Sequence, residues 1–550
     1  MRYLFLLLSL CFATTAHSQH YYSFTDYDTT SDDRGNLDPY WLQPLDNGRI
    51  LFVAYTKEFG TELWTSDGTL AGTHMIKDIG PGALGGQIGK PVLLNHIYYF
   101  AANDTVHGFE LWRTDGTATG TYMVKDISPG REHSMPNYIV VCNNKLYFSA
   151  TTPATGTELW TSDGTAAGTH LVVDATPGVA TTGVINLFSC NGKVYFVGSD
   201  NTNGNEPWVS DGTAAGTHIV KDINPGIYSG IMNDPTEFNG KMFFISNTNS
   251  TDVDIYYTDG TDTGTHILKD FVPGNHTAYL GVQKILTVYN GRLYFAANDG
   301  LKGNELWSTD GTDTGTHMVK DINPGIDPSD PINPYFYKGK LYFSANVTGT
   351  GRELWITDGT TAGTKMFLDI NPKGGSDPVY WTEFEGLLFF CATHFNTRNQ
   401  VYYTDGTDTG THMTRPSSYA FSPVAANIIG CASGGKLFYN ADYRNFDVIK
   451  SELWSLQDSI IKPNSISTVQ QAAPGIIYPN PNNGHFIINT GTDDFTGTVR
   501  IYDVTGKLVQ TNSVKGRQAA IILKAPANAM YLLELINDAG GKTVSRLLVE

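Results

Sequence analysis

Charge is scarce in this chain: Asp, Glu, Lys and Arg make up 16% of its 550 residues, and the 36 Lys and Arg are outnumbered by 54 Asp and Glu. A net charge of −18 leaves no basic surface to neutralise a phosphate backbone, so nucleic acid is excluded as a partner. Cysteine is rarer still, and Cys142, Cys190, Cys391 and Cys431 show no Cys-x-x-Cys spacing, which removes both a zinc cluster and a disulfide framework. Cys142, Cys190 and Cys431 each stand just before a turn and read as small buried hydrophobes. Beyond the N-terminus no apolar run approaches the roughly 20 residues of a membrane span. Helical periodicity is missing throughout. Gly-x-Ser-x-Gly, His-Glu-x-x-His and a phosphate-cradling glycine loop are missing as well, so no catalytic residue is assigned and no cofactor or metal is implied.

What is abundant is glycine, 58 residues, and aromatic side chains, 12%, the composition of a turn-rich β protein. A unit of about 48 residues recurs, marked by Glu-Leu-Trp, two residues, Asp-Gly-Thr, two residues, Gly-Thr. Its Asp falls at Asp67, Asp115, Asp163, Asp211, Asp259, Asp310, Asp358 and Asp405, and a truncated ninth copy begins at Glu452. Each unit reads as four short antiparallel strands, for example Pro334-Tyr335-Phe336-Tyr337, then Lys340-Leu341-Tyr342-Phe343, then Glu305-Leu306-Trp307 and His317-Met318-Val319-Lys320 from the neighbouring copy. This is the content of a propeller blade. The fourth strand follows only eight of the Trp strands, and Tyr21-Tyr22-Ser23-Phe24, aligned with Thr73 to Ile76, supplies the missing one. The expectation is an all-β, multi-bladed propeller of about nine four-stranded units, closed by pairing its two chain ends, with eight blades as the alternative count.

In each turn the Asp is expected to accept N–H groups two or three residues on, and the glycines to take left-handed conformations. One carboxylate per turn falls short of the six to eight oxygens calcium takes, so these eight Asp are read as structural. If Ser66 pairs with Thr73, Trp64 faces Met75 and Glu62 faces Lys77, an ion pair repeated as Glu110 with Lys125, Glu206 with Lys221 and Glu305 with Lys320. Asp78, Asp126, Asp174, Asp222, Asp270, Asp321 and Asp369 close the fourth strand, where capping of the following turn is preferred to a ring of cation ligands.

Turns alternate between the two faces of an antiparallel blade, so the constant Asp-Gly-Thr turns share one face. The other face collects the variable loops, 103–109, 151–157, 200–205, 247–253, 298–304, 393–399 and 442–450, with crossings such as 227–234 and 275–280. His107, Phe109, Tyr228, His276, Tyr279, Trp381, His394, Phe395, Tyr443 and Phe446 are the candidates there for binding a glycan or a peptide.

Residues 1–18 have a short basic start, an apolar stretch and Ala16-His17-Ser18, the pattern of a cleaved secretory signal. Residues 19–456 hold the repeats, 457–475 a Ser, Gln, Pro and Ala linker, and 476–550 a second set of alternating strands, read as a small immunoglobulin-like β-sandwich. The repeat fingerprint resembles the family of secreted bacterial proteins named for it and is similar to the Asp-box turn of sialidase-type propellers. The tail, with Ile477-Tyr478-Pro479-Asn480-Pro481, Gly484-His485-Phe486 and Val499-Arg500-Ile501-Tyr502-Asp503, resembles the type A C-terminal sorting domain of type IX secretion in Bacteroidota. That resemblance implies the type IX machinery as a partner, export across the outer membrane, and release or anchoring at the cell surface. The reading is a secreted or surface-displayed module for binding or adhesion to glycan, peptide or matrix. A carbohydrate-active enzyme and a purely structural surface protein are the alternatives.

Overall fold

Strands of four to eight residues, apolar on both faces and divided by glycine turns, can bury both surfaces only by stacking sheet on sheet. In the computed structural model the third repeat forms Asn137–Cys142, Lys145–Thr152, Gly156–Ser162 and His170–Val173, hydrogen-bonded in that order. The chain divides into two compact units, 1–460 and 461–550. The structure describes residues 20–23, 38–175, 183–200, 202–247, 253–271, 286–394, 397–414, 423–425, 430–445 and 448–457 of the first. Of the second it describes 477–478, 485–490, 495–503, 507–523, 529–538 and 542–549.

Among the described residues the first unit contains nine sheets, eight of them built from four consecutive strands. The ninth joins Lys436–Asn445 and Val448–Gln457 to Pro423–Ala425 and Cys431–Ser433 on one side and to the N-terminal His20–Ser23 on the other. Ser23 stands opposite Trp454 as Met75 stands opposite Trp64, the register expected of a borrowed fourth strand. The ninth sheet also sits against the first: Lys436 Nζ donates to Asp67 O (2.8 Å), Ser433 Oγ to Arg49 O (2.7 Å) and Asn440 Nδ2 to Pro39 O (2.7 Å). Phe438 and Leu453 share one core with Phe52 and Trp64. The ring is therefore closed, a β-propeller of nine blades.

The first strand of each blade is innermost, because first strands of neighbouring blades come within direct hydrogen-bonding reach. Thr236 Oγ1 donates to Leu286 O (3.2 Å) and Trp381 Nε1 to Asn333 O (2.7 Å). Every interface is filled by side chains of two blades. Trp112 packs among Leu51, Val53 and Leu63 of the blade before it, and Trp160 among Tyr99 and Leu111. Burying an aromatic of this size contributes about 2–3 kcal/mol relative to exposure.

The expected Glu–Lys pairs do not form. A bulge sets Leu63 opposite Lys77 and Trp64 opposite Met75, leaving Ile76 as the extra residue, and the same shift recurs between Leu111 and Trp112 and between Leu306 and Trp307. Lys77 instead donates to Thr121 O of the next blade (2.7 Å), Lys125 to Thr169 O (2.7 Å), and Lys221 to Asp262 Oδ1 (2.9 Å).

The second unit has two sheets. One orders Ile477–Tyr478, His485–Asn489 and Gln518–Ile522, and the other Leu508–Lys515, Thr496–Tyr502, Ala529–Asn537 and Lys542–Val549. Phe486, Ile488, Val499, Ile501, Ile521 and Leu533 form their common core.

Deleting residues 20–23 strips the partner from Val448–Gln457 and exposes its edge. The deleted chain should elute as oligomers and unfold at a lower temperature. An unchanged monomer with the native midpoint would contradict closure by this strand.

Candidate functional site

The residues constant among the copies are consumed by the fold. Asp67 Oδ1 accepts from Thr69 N (2.8 Å) and Thr69 Oγ1 (2.7 Å), Thr69 Oγ1 accepts from Gly72 N (3.0 Å), and Thr73 Oγ1 donates to Thr69 O (2.7 Å). These bonds hold the Asp67 carboxyl below its usual range, and the Thr bonds do the same for Asp163, Asp211, Asp310 and Asp358. Burial opposes the shift at Asp67 and is its largest single influence, outweighed by the bonds together. A Cβ on Gly72 would strike that carboxylate. Gly164 has φ of 92° and receives the Tyr99 hydroxyl of the preceding blade, as Gly212 receives that of Tyr147.

Glu of Glu-Leu-Trp turns inward. Glu62, Glu110, Glu158, Glu206, Glu305 and Glu353 are all 0% exposed. Glu110 accepts from Ile127 N (2.7 Å), Ser128 N (3.3 Å), Ser134 N (3.3 Å) and Ser134 Oγ (2.6 Å), all on the crossing to the next blade. Glu206 takes Ile223 N (2.8 Å) and Gly230 N (2.7 Å), and Glu62 takes Gly80 N and Gly86 N (both 2.8 Å). Glu62, Glu110 and Glu206 thus each staple one crossing at both ends. Burial outweighs these donors and pushes Glu62, Glu110, Glu206 and Glu305 up to about 7 and Glu353 to about 6.

The predicted aromatic residues are spread around the ring. His107 Nδ1 bonds Asp104 Oδ2 at 2.7 Å, a pairing that raises the His pKa, and Phe109 tilts against His133 of the adjoining crossing with centroids 5.5 Å apart. Tyr228 is 66% exposed at the tip of a crossing. Trp381 lies on the inner strand Val379–Phe384, not on a loop, and packs against Phe390 at 5.2 Å. His394 Nδ1 meets Ile370 O at 2.9 Å. His276, Tyr279, Phe395 and Phe446 lie outside the described residues, as does the side chain of Tyr443. Of the described candidates, only His107 and Phe109 occupy one loop.

Sequence reasoning missed the inner strands. In six blades the first strand breaks register against the second, between Asn137 and Val140 for example, and a non-glycine residue there has left-handed φ. These are Trp41 (52°), Tyr138 (51°), Asn186 (53°), Asp234 (47°), Asn333 (54°) and Tyr380 (60°). Asn and Asp tolerate this region, whereas a bulky side chain costs about 1–2 kcal/mol there. Tyr138 and Tyr380 are nonetheless 40% and 48% exposed. They follow the stapled crossing directly and so stand at the axis on the loop face. The available signal was the position itself, which differs from copy to copy beside nearly constant second and third strands.

Residues 476–550 match the family of the secretion system C-terminal sorting domain. No curated protein matches the chain. Among solved structures, a puromycin-hydrolyzing peptidase of Mycobacterium tuberculosis is 11% identical, with 77% of this chain and 60% of that one covered at a TM-score of 0.37. A puromycin hydrolase is 12% identical, with 75% and 59% covered at 0.34, so the chain spans well under two thirds of its length. The β-propeller domain of the Trilobed protease from Pyrococcus furiosus is 11% identical, with 60% and 98% covered at 0.28. The tail supports export by type IX secretion to the cell surface or beyond. Among the described residues no helix is long and apolar enough to cross a membrane.

A carboxyl raised in the folded state from 4.5 to about 7 binds its proton more tightly there than in the unfolded chain. Its stabilising contribution is complete below about pH 4.5 and is lost as pH rises through 7. The lowered turn Asp groups act oppositely, losing their contribution as pH falls below about 4. Thermal midpoints should therefore peak near pH 4.5–5 and fall toward pH 8, with a shallower alkaline limb in Glu110→Gln with Glu305→Gln. A flat profile from pH 5 to 8 in the native chain would contradict this.

Proposed function

We propose that this chain is a secreted or cell-surface recognition module, an adhesin for glycan, peptide or matrix, and not a catalyst. The observation that carries the reading is a division of labour. Turn Asp in eight blades, stapling Glu in at least six and interface Trp in seven are spent inside the blades, while the differences between copies gather in the loops, the crossings and the loop-side ends of the inner strands. Variation displayed on a rigid frame is the arrangement of a binding surface. Two ionisable clusters on that side are engaged by their own chain. Asp104 holds His107, and Arg352 donates to Asp330 O and lies 3.8 Å from Asp377.

On this reading residues 1–18 direct the chain into the periplasm, 457–475 serve as a tether, and 476–550 engage the type IX machinery, which delivers the propeller outside. Ending the chain at residue 475 should leave it in the periplasm, while the full chain appears on the surface or in the medium. Equal export of both forms would contradict the assigned role of the tail. The full chain should also adhere to immobilised glycan or matrix protein without altering it.

A further inference from the structure

We propose that the loop-side mouth of the propeller axis binds a neutral polysaccharide chain, with Trp41, Tyr138 and Tyr380 as stacking platforms facing an arc of Asn186, Asp234 and Asn333. The proposal rests on the recognition reading above and gives it a ligand class and a place.

All six residues occupy one equivalent bulge on the innermost strand, and all six have left-handed φ. Three blades fill it with Asn or Asp, which suit that conformation. The other three keep a large aromatic ring despite the strain, and two of those rings are 40% and 48% exposed, more than a packing role requires. Trp41 is half-buried, packed against the core that the first and second blades share and edge-on to Tyr40 at 4.9 Å, so it offers less open surface than the two tyrosines. Order around the ring supplies the chemistry. The aromatic residues come from blades eight, one and three, and the amides and carboxylate from blades four, five and seven. One arc carries the aromatic residues, with Lys90 between Trp41 and Tyr138, and the other carries hydrogen-bonding groups.

A pyranose matches both, since its C–H face stacks on an aromatic ring while its hydroxyls exchange hydrogen bonds at the rim. Charge narrows the class. Lys90 is the cation at the corresponding place in the second blade, and the chain carries a net −18, which disfavours sulfated or uronic polymers.

The conformation also provides the control. Tyr138→Asn with Tyr380→Asn installs the residue that Asn186 and Asn333 already are at this bulge, so the fold should keep its thermal midpoint or gain slightly. Titration calorimetry of the full chain with cellohexaose, mannohexaose and chitohexaose should find binding of at least one. The double variant should lose at least tenfold in affinity, and Leu70→Ala, in an exposed Asp-Gly-Thr turn on the opposite face, should bind as the native chain does. A double variant that binds with native affinity, or one that unfolds at a markedly lower temperature, overturns the proposal. Loss on Tyr228→Ala alone removes the axial site but leaves recognition standing. A native chain that binds a hexalysine peptide and none of the three sugars overturns the ligand class in the same way.

Discussion

A buried carboxylate in each of at least six blades governs how this molecule is assembled. A crossing between blades has to leave an outer strand, pass over the loop face and enter the next inner strand, and its N–H groups need acceptors along that path, where Ser134 N and Ser329 N reach Phe109 O (3.0 Å) and Asn304 O (3.1 Å) as well as the carboxyl. Leaving them buried and unpaired would cost about 1–3 kcal/mol apiece. Glu110 satisfies three of them and the Ser134 hydroxyl, Glu305 repeats the pattern with Ile322 N (2.7 Å), Ser329 N (3.1 Å) and Ser329 Oγ (2.6 Å), and Glu353 does so with Ile370 N (2.9 Å) and Ser376 Oγ (2.5 Å). The carboxyl belongs to the third strand of one blade, and its donors lead into the first strand of the next. It therefore ties the third strand of one blade to the crossing that enters the next.

The remaining letters of the repeat act at the opposite face. Asp caps its turn, the following glycine at Gly164, Gly212, Gly260 and Gly359 admits a tyrosine hydroxyl from the preceding blade, and Trp fills the interface between blades. One short motif thus binds each blade to both neighbours. The variable positions lie outside the motif, so they differ without disturbing it, and the left-handed bulge at Tyr138 and Tyr380 follows immediately after the stapled crossing.

Much of this was legible in one dimension. The period, the order of four strands and the register of the closing strand follow from aligning copies, and Ser23 opposite Trp454 repeats Met75 opposite Trp64. The pairing of Glu62 with Lys77 was misread because a single extra residue, Ile76, shifts the register by one while leaving the alternation of apolar and polar side chains ambiguous. Glu62 then lies beside Asp78, which helps to raise its pKa, and the lysine reaches the next blade. The inner-strand aromatics were hidden for another reason. A left-handed φ leaves a mark in sequence only where Gly, Asn or Asp occupies it, and Trp41, Tyr138 and Tyr380 do not. Trp381, chosen as a loop aromatic, is the next residue along from Tyr380 and turns into the core.

The role of the buried carboxyl is tested most directly by amide hydrogen exchange on the native chain and Glu110→Ala. The account predicts that Ile127 and Ser128 lose their protection, while Ser134, which keeps its bond to Phe109 O, loses less and the crossing held by Glu305 keeps its own. Unchanged protection at Ile127 and Ser128 would contradict it.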